Sequence, residues 1–382
     1  MNILFDYQAF EMQHFGGVSN SYAEIISHLQ SLGVNARLAI KESNNEHLKQ
    51  AGIAPSVKPL GATNKSWFGG KKLFKGQRRL LRKGLSIAGY RNDFLSINQD
   101  YCIKQLQKQQ FDIFEPTFFD SYFLPYLNNK PFVLTVHDMI SEILGVDEPQ
   151  AQQKKLLCPL TTHIHVPSRN TKNDLVNILN IDPDKVTVIP HGSPELPNTR
   201  YPSPYPFPYL LYVGARLSYK NFVPFVKECS IVISKHHDLH IVCTGSPFTQ
   251  EEKQLLADHG LTQNFIQTHA DDAGLQALYQ NAVAFIYPSA YEGFGIPILE
   301  AFVCGCPVFL NNASCFPEVG GDAAIYFDIN RRGDLAEQLE TFLLSSNQDR
   351  SDLINRGLER AKLYSWEESA RKLANVYQNL LA

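Results

Sequence analysis

The chain lacks the marks of several common protein classes. Its longest apolar stretches, such as Ala282–Pro288 and Ile296–Val303, fall well short of the roughly 20 residues that cross a bilayer. Met1–Asp6 has no basic flank and reads as a first strand, so a secretory leader is not expected. The seven cysteines are odd in number and scattered, and Cys304-Gly-Cys306 has neither redox nor zinc spacing. Reduced thiols in a cytoplasmic protein are the expectation. No His, Asp or Glu cluster has ligand spacing, so no metal is expected. The dinucleotide fingerprint G-x-G-x-x-G is absent as well. Charge is sparse, at 19% of residues and a net −3, which argues against a nucleic-acid partner.

Hydrophobic residues are not sparse. They make up 44% of 382 residues, enough for a core in each of two or three domains and too many for a disordered chain. Short apolar strands alternate with helical patterns, which points to α/β layers with parallel sheets. Strands are expected at Asn2–Phe5, Ala36–Ile40, Ile113–Glu115, Phe132–Thr135, His163–Val166 and Val186–Ile189. Ser168 reads as a helix cap. Six prolines then crowd into Pro194–Pro208, a density that excludes helix and favours an extended linker. The alternation restarts with strands at Tyr209–Val213, His240–Thr244, Ala284–Tyr287 and Pro307–Leu310, and with helices at Phe222–Ser234, Thr249–Asp258 and Pro297–Cys304. The expected organisation is an N-terminal Rossmann-like domain (1–193), a Pro-rich linker (194–208) and a second Rossmann-like domain (209–365). An amphipathic helix (366–382) should pack back on an earlier element.

The modest net charge hides one local excess. Between Lys65 and Arg91 stand nine basic residues and no acidic ones. An anionic membrane surface at 65–91, or steering of an anionic acceptor, are the functional readings; a solvated basic loop is the plain one.

Four segments carry chemistry. In Tyr287-Pro-Ser-Ala-Tyr-Glu-Gly-Phe-Gly-Ile-Pro-Ile-Leu-Glu-Ala, a strand ends in a glycine turn and a helix starts near Pro297. Backbone N–H groups at such a start form an anion site. Glu292 and Glu300 on either side of it suit hydroxyl groups of a sugar and a ribose rather than the phosphate itself. In Leu211-Tyr-Val-Gly-Ala-Arg-Leu-Ser-Tyr-Lys-Asn, a strand delivers Arg216 and Lys220 at its C-terminal end, where open α/β sheets bind ligands. Two cations there suit a diphosphate. In Phe132-Val-Leu-Thr-Val-His-Asp, His137 ends a strand and could touch a substrate. A glycine loop, Phe15-Gly-Gly-Val18, joins the first strand to the first helix.

Taken together, these residues resemble glycosyltransferase family 4, a group of retaining enzymes of the GT-B fold. The resemblance runs through Val136-His-Asp, Val166-Pro-Ser168, Val188-Ile-Pro-His-Gly192, Tyr212-Val-Gly, Cys243-Thr-Gly245, the Glu292–Glu300 block and Phe316-Pro-Glu-Val-Gly-Gly-Asp-Ala-Ala324. It is closest to bacterial mannosyl- and glucosyl-transferases of surface-polysaccharide assembly. It implies two Rossmann-like domains facing across a cleft that closes over the linker. It also implies a nucleotide-sugar donor, UDP-glucose or GDP-mannose, and a glycan or lipid-diphosphate-linked acceptor. His137 and Glu292 would act at the reacting sugar. Gly17, Arg216, Lys220, Gly245, Ile266, Phe294, Gly295, Ile296 and Glu300 would hold the donor. Arg216 stands one position later than the family's usual arginine, because Ala215 intervenes. Neither metal nor other cofactor is implied. The expected location is cytoplasmic, peripheral on the inner leaflet if the basic segment binds lipid. The alternatives are a GT-B epimerase or phosphorylase, or an inactive nucleotide-sugar-binding scaffold.

Overall fold

Hydrophobic strands as short as Tyr209–Tyr212, buried at every position, need cover on both faces, and parallel sheets between helices supply it. The computed structural model describes residues 1–54 and 94–382; the basic segment 65–91 lies outside the described residues. In the N-terminal domain the strands are β1 (Asn2–Phe5), β2 (Asn35–Leu38), β3 (Ile113–Glu115), β4 (Val133–Thr135), β5 (His163–Val166) and β6 (Val186–Val188). Two three-stranded parallel sheets, ordered β2-β1-β3 and β4-β5-β6, are joined by a parallel bridge between Phe114 and Phe132. The C-terminal domain has β7 (Tyr209–Tyr212), β8 (His240–Thr244), β9 (Phe265–Thr268), β10 (Ala284–Tyr287), β11 (Val308–Asn311) and β12 (Ile325–Phe327). Their order, β12-β11-β10-β7-β8-β9, reverses direction between β7 and β10. That reversal opens a crevice at the strands' C-terminal ends, the place where doubly wound sheets bind ligands. Both loops with the expected donor residues, after β7 and after β10, leave the sheet there.

The Pro-rich segment contains no helix or strand, yet it is not a free tether. The Asp272–Asn281 helix straps it down: Gln276 donates to the Pro197 carbonyl at 3.0 Å, Gln280 to Thr199 at 2.9 Å and Asn281 to Tyr201 at 3.2 Å. The segment is thus tied to the C-terminal domain. The chain crosses between domains just before it, at Pro190–Ser193, and again at Tyr364–Trp366. The two crossings are stitched together by Ser193 N–H to the Tyr364 carbonyl (3.0 Å), Ser193 Oγ to Ala361 (2.7 Å) and Ser369 Oγ to Pro190 (2.5 Å). A Cβ on Gly192 would overlap the Trp366 backbone nitrogen, so only glycine permits this approach.

The Trp366–Leu381 helix lies against the Gly17–Ser31 helix and belongs to the N-terminal core. Trp366, Ala370, Leu373 and Tyr377 are buried in the same cluster as Ile3, Ile26, Phe114 and Ile164. Its far end is fixed by a polar network. Glu115, fully buried, accepts hydrogen bonds from Tyr377 Oη and from Thr135 Oγ1 at 3.0 Å, and lies 3.0 Å from His165 Nε2. Asp6, at the end of β1, is likewise buried but accepts from Thr117, Gln8 and Tyr122. Burial raises its pKa from the ordinary carboxylate value while those donors pull it back. No helix among the described residues is long and apolar enough to cross a membrane.

Candidate active site

The loop after β10 is held from every side. Asn221 Nδ2 donates to the Pro288 carbonyl at 2.9 Å, Asn311 Nδ2 to Ser289 at 3.0 Å, and Ala290 N–H to the Tyr219 carbonyl at 2.7 Å. Glu292 is clasped through its backbone: its N–H reaches Ser314 Oγ at 3.2 Å, and that hydroxyl donates to its carbonyl at 2.6 Å. Ser314 adopts a left-handed conformation (φ 54°), a cost that persists only where surroundings enforce it. Gly295 then caps the Ile296–Val303 helix with φ 92° and no side-chain acceptor. The first-turn N–H groups at that end carry the helix dipole's positive charge.

Glu292 forms an ion pair with Lys220, both side chains only 12–14% exposed. Lys220 Nζ also lies 3.5 Å from Tyr287 Oη and within 5.3 Å of the Tyr219 and Tyr287 rings. The two loops thus meet at one cation. Across the cleft stands Gly17, the first residue of a helix whose cap residue, Gly16, offers no side chain, although Gln13 Oε1 accepts the Ser19 N–H of the first turn at 3.1 Å. A Cβ there would sit 3.9 Å from Ile296 Cδ1, so two glycine-led helix starts face each other with Lys220 on the same loop system. This arrangement suits an anion bearing several charges.

Glu300, one turn into the helix, accepts from Tyr279 Oη at 3.0 Å. Burial raises its carboxyl to about 7, against the opposing effect of Tyr279. His137 follows β4, edge-on to Tyr22 (5.6 Å) and stacked near His191 (5.8 Å). Burial, with His191 nearby, holds it well below the usual histidine value, so it is neutral at physiological pH. Its Nε2 is buried without a hydrogen-bond partner. Phe294 packs edge-on to His191 at 5.1 Å and is buried in the C-terminal core.

Three expected donor residues are placed differently. Arg216 does not project freely beside Lys220: its Nε binds Glu252 at 2.7 Å and its Nη2 donates to the Ser246 and Pro247 carbonyls. Its guanidinium also lies over Phe248 at 4.8 Å. Only Nη1 is unpartnered, and it stands 4.0 Å from where a Gly245 Cβ would be. Gly245 (φ 106°) lies against Gly214, whose carbonyl would be 3.2 Å from an added Cβ. Ile266 is half-buried on edge strand β9, but its neighbour Gln267 is the residue that reaches Gly245, donating to its carbonyl at 2.7 Å. Gln267, Ser314 and Tyr279 were not legible as site residues, since each acts on a residue distant in sequence.

A cavity of about 750 Å³ lies elsewhere, between the Pro-rich strap and the helices flanking Cys304 and Arg350. It opens at the N-terminal ends of β10 and β11, the wrong edge for the site. Among the described residues no three His, Cys, Asp or Glu side chains are grouped to hold a metal.

Two Rossmann-like domains facing across a cleft, with the glycine-bounded helix start and the paired Lys and Glu in it, define the GT-B class of glycosyltransferases. The chain carries two glycosyltransferase domains: the model described as Glycosyltransferase Family 4 matches residues 15–194, and that described as Glycosyl transferases group 1 matches 200–360. Among curated relatives, O-antigen chain mannosyltransferase B of Escherichia coli is 39% identical over 179 residues, 45% of this chain and 46% of the relative. O-antigen chain mannosyltransferase RfbU of Salmonella typhimurium is 28% identical over 211 residues, 53% of this chain and 58% of the relative. The chain spans about half the length of the curated relatives it matches. Among solved structures, Anabaena Alr3699/HepE in complex with UDP and glucose superposes with a TM-score of 0.71 at 15% identity, covering 99% of this chain and 100% of that one. A Rickettsia africae glycosyltransferase gives 0.69 at 17%, covering 100% and 98%. These likenesses concern the fold.

Proposed function

We propose that the protein transfers a mannosyl residue, with retention of configuration, from a nucleoside-diphosphate sugar to a growing surface polysaccharide. The observation that carries the reading is Lys220 paired with Glu292 beside the facing glycine-led helix starts at Gly17 and Gly295. A diphosphate between those starts would share the Lys220 ammonium, which neutralises charge as the leaving group departs. Glu300 would take the ribose hydroxyls, and His137, neutral and with a free ring nitrogen, would take a sugar or acceptor hydroxyl. The acceptor hydroxyl attacks on the face from which the diphosphate leaves. Relatives named as O-antigen mannosyltransferases favour mannose, and GDP-mannose is the donor proposed. The reaction uses no metal. The protein works from the cytoplasm, with its acceptor on the inner leaflet.

The test is a thermal-shift comparison of GDP, UDP, GDP-mannose and UDP-glucose, followed by transfer assays with the stabilising donor. A donor at 100 times its dissociation constant adds about 2.7 kcal/mol. GDP-mannose should stabilise most, transfer should survive EDTA, and NMR of the product should give an α-mannoside. Stabilisation by UDP-glucose alone would move the donor; none by any nucleotide would sink the reading.

A further inference from the structure

Tyr291 belongs in sequence to the donor loop of the C-terminal domain, directly before Glu292. In the fold it is buried in the hydrophobic cluster of the other domain. Its hydroxyl donates to Asp174 Oδ2 at 2.5 Å, and Asn170 Nδ2 bridges both, at 2.7 Å to Asp174 and 3.3 Å to Tyr291 Oη. The same N-terminal-domain helix, Arg169–Leu179, donates Thr171 Oγ1 to the Gly293 carbonyl at 3.2 Å. On the loop's other flank, a Cβ on Gly293 would overlap the His137 carbonyl oxygen and lie 3.0 Å from Asp138 Cβ. The two residues that flank Glu292 are therefore seated in a socket of the N-terminal domain, while Glu292 between them is clasped through its backbone by Ser314 of its own domain. Beside the socket, Glu318 of the C-terminal domain accepts the Arg169 N–H at 2.9 and 3.0 Å and the Asn170 N–H at 3.3 Å, so it closes the helix's N-terminus from across the boundary.

We infer that Asp174 and Tyr291 are positioning residues that hold Glu292 from the opposite domain. This rests on the donor-loop reading above. The physical reason is a division of holds: side chains of the C-terminal domain fix the start of the loop through Asn221 and Asn311 and clasp the Glu292 backbone through Ser314 and Cys315, whereas the Tyr291 hydroxyl and the Gly293 carbonyl on either side take their side-chain partners from the N-terminal domain. A buried hydroxyl bonded to a carboxylate has one orientation; with the ring in the other domain's core, it transmits that domain's position to the Glu292 backbone. Two consequences follow. Domain movement must pivot about this socket and not pull it apart. Glu292 geometry is correct only while the pivot is seated.

The experiment uses the full chain with Asp174→Ala, Asp174→Asn and Tyr291→Phe, and the Asp174→Ala/Tyr291→Phe double variant. The first readout, independent of any activity, is amide hydrogen exchange across residues 289–295. Loss of a hydrogen bond to a charged group predicts about tenfold faster exchange in that loop for Asp174→Ala, with the strands of both domains unchanged. Asp174→Asn, which keeps an acceptor oxygen, should recover most of the protection, and the double variant should exchange no faster than the worse single one. In transfer assays kcat should fall about tenfold with donor KM little changed, the pattern of an interaction realised at the transition state. Unaltered exchange in the loop, or acceleration spread equally over the chain, would overturn the positioning role even if the protein transfers sugar. Loop-specific acceleration in the variants, with a wild type that transfers no sugar, would uphold the socket and remove the donor reading instead.

Discussion

Lys220 and Glu292 form an ion pair between the loops that follow β7 and β10, with the Tyr287 hydroxyl 3.5 Å from the same ammonium. The pair is mostly shielded from water, so each member depends on the other. Removing one partner leaves a nearly buried charge without compensation, which costs more than the pair itself contributes.

Lys220→Ala and Glu292→Ala should each lower transfer by at least about 100-fold, the scale of losing one preorganised electrostatic partner of the departing group. Both single variants should melt below the wild type, and the double variant should recover part of that loss because no unpaired charge is left. A scan of melting temperature beside initial rates separates the two effects. Retention of full rate in either single variant would refute the assignment.

Glu300 and the two central histidines predict opposite pH effects. Burial raises Glu300 from 4.5 to about 7, so the folded state holds that proton more tightly than the unfolded chain does. Its contribution to stability is complete below pH 4.5 and is lost as pH rises to about 7. Glu300→Gln should flatten that part of the stability profile. Nucleotide affinity in the wild type should rise over the same window as the carboxylate forms, and a calorimetric titration at several pH values would reveal it.

His191 is lowered to about 3 by burial, helped by His165, and His137 lies well below 6.5. Their contribution is complete above pH 6.5 and is lost as pH falls toward their folded-state values. Between pH 6.5 and 8 neither changes charge, so the rate profile should show no limb that His137→Gln abolishes. A limb near 6.5 that vanishes in that variant would contradict the buried, neutral ring.

Gly192→Ala places a methyl group into the Trp366 backbone. Overpacking of this kind costs about 1–3 kcal/mol, and the two stitched crossings cannot both relax. Denaturant midpoints should fall accordingly. A neutral result would mean that the crossings move apart freely.

Tyr377→Phe removes the donor that Glu115 Oε2 receives from the C-terminal helix. A buried acceptor left unsatisfied costs about 1–3 kcal/mol, and the loss should appear as faster exchange in β3 and β4, with little change in the C-terminal sheet. Equal acceleration in both sheets would show that the domains unfold as one unit.

Most of the architecture was legible because it repeats. Apolar strands such as Ile113–Glu115, His163–Val166, His240–Thr244 and Ala284–Tyr287 stand where the pattern put them, and others differ by one or two residues at their ends, as at Asn35–Leu38 and Val308–Asn311. The edge strands Phe265–Thr268 and Ile325–Phe327 escaped notice. They are short and half-exposed, and so carry little apolar signal. In the site, Lys220, Glu292 and Gly295 were readable because strand ends and glycine turns leave a local trace. The pairing of Arg216 was not readable, because its partner Glu252 lies 36 residues on. Tyr291 and Asp174 are 117 residues apart, and no local pattern in either segment announces that they meet.

The placement of the Trp366–Leu381 helix in the N-terminal core has a consequence for biosynthesis. A ribosome delivers β1 to β6 long before it delivers Trp366. Until then the Gly17–Ser31 helix has no cover from the Trp366–Leu381 helix, and Glu115 has no Tyr377 to satisfy it. A chain made in this order carries its first domain as an open-faced intermediate through the making of the second, with apolar surface exposed to aggregation or to chaperones. Stalled or nicked products that end before residue 366 should therefore behave worse than their length suggests, and a co-expressed 366–382 peptide is the natural reagent for rescuing them.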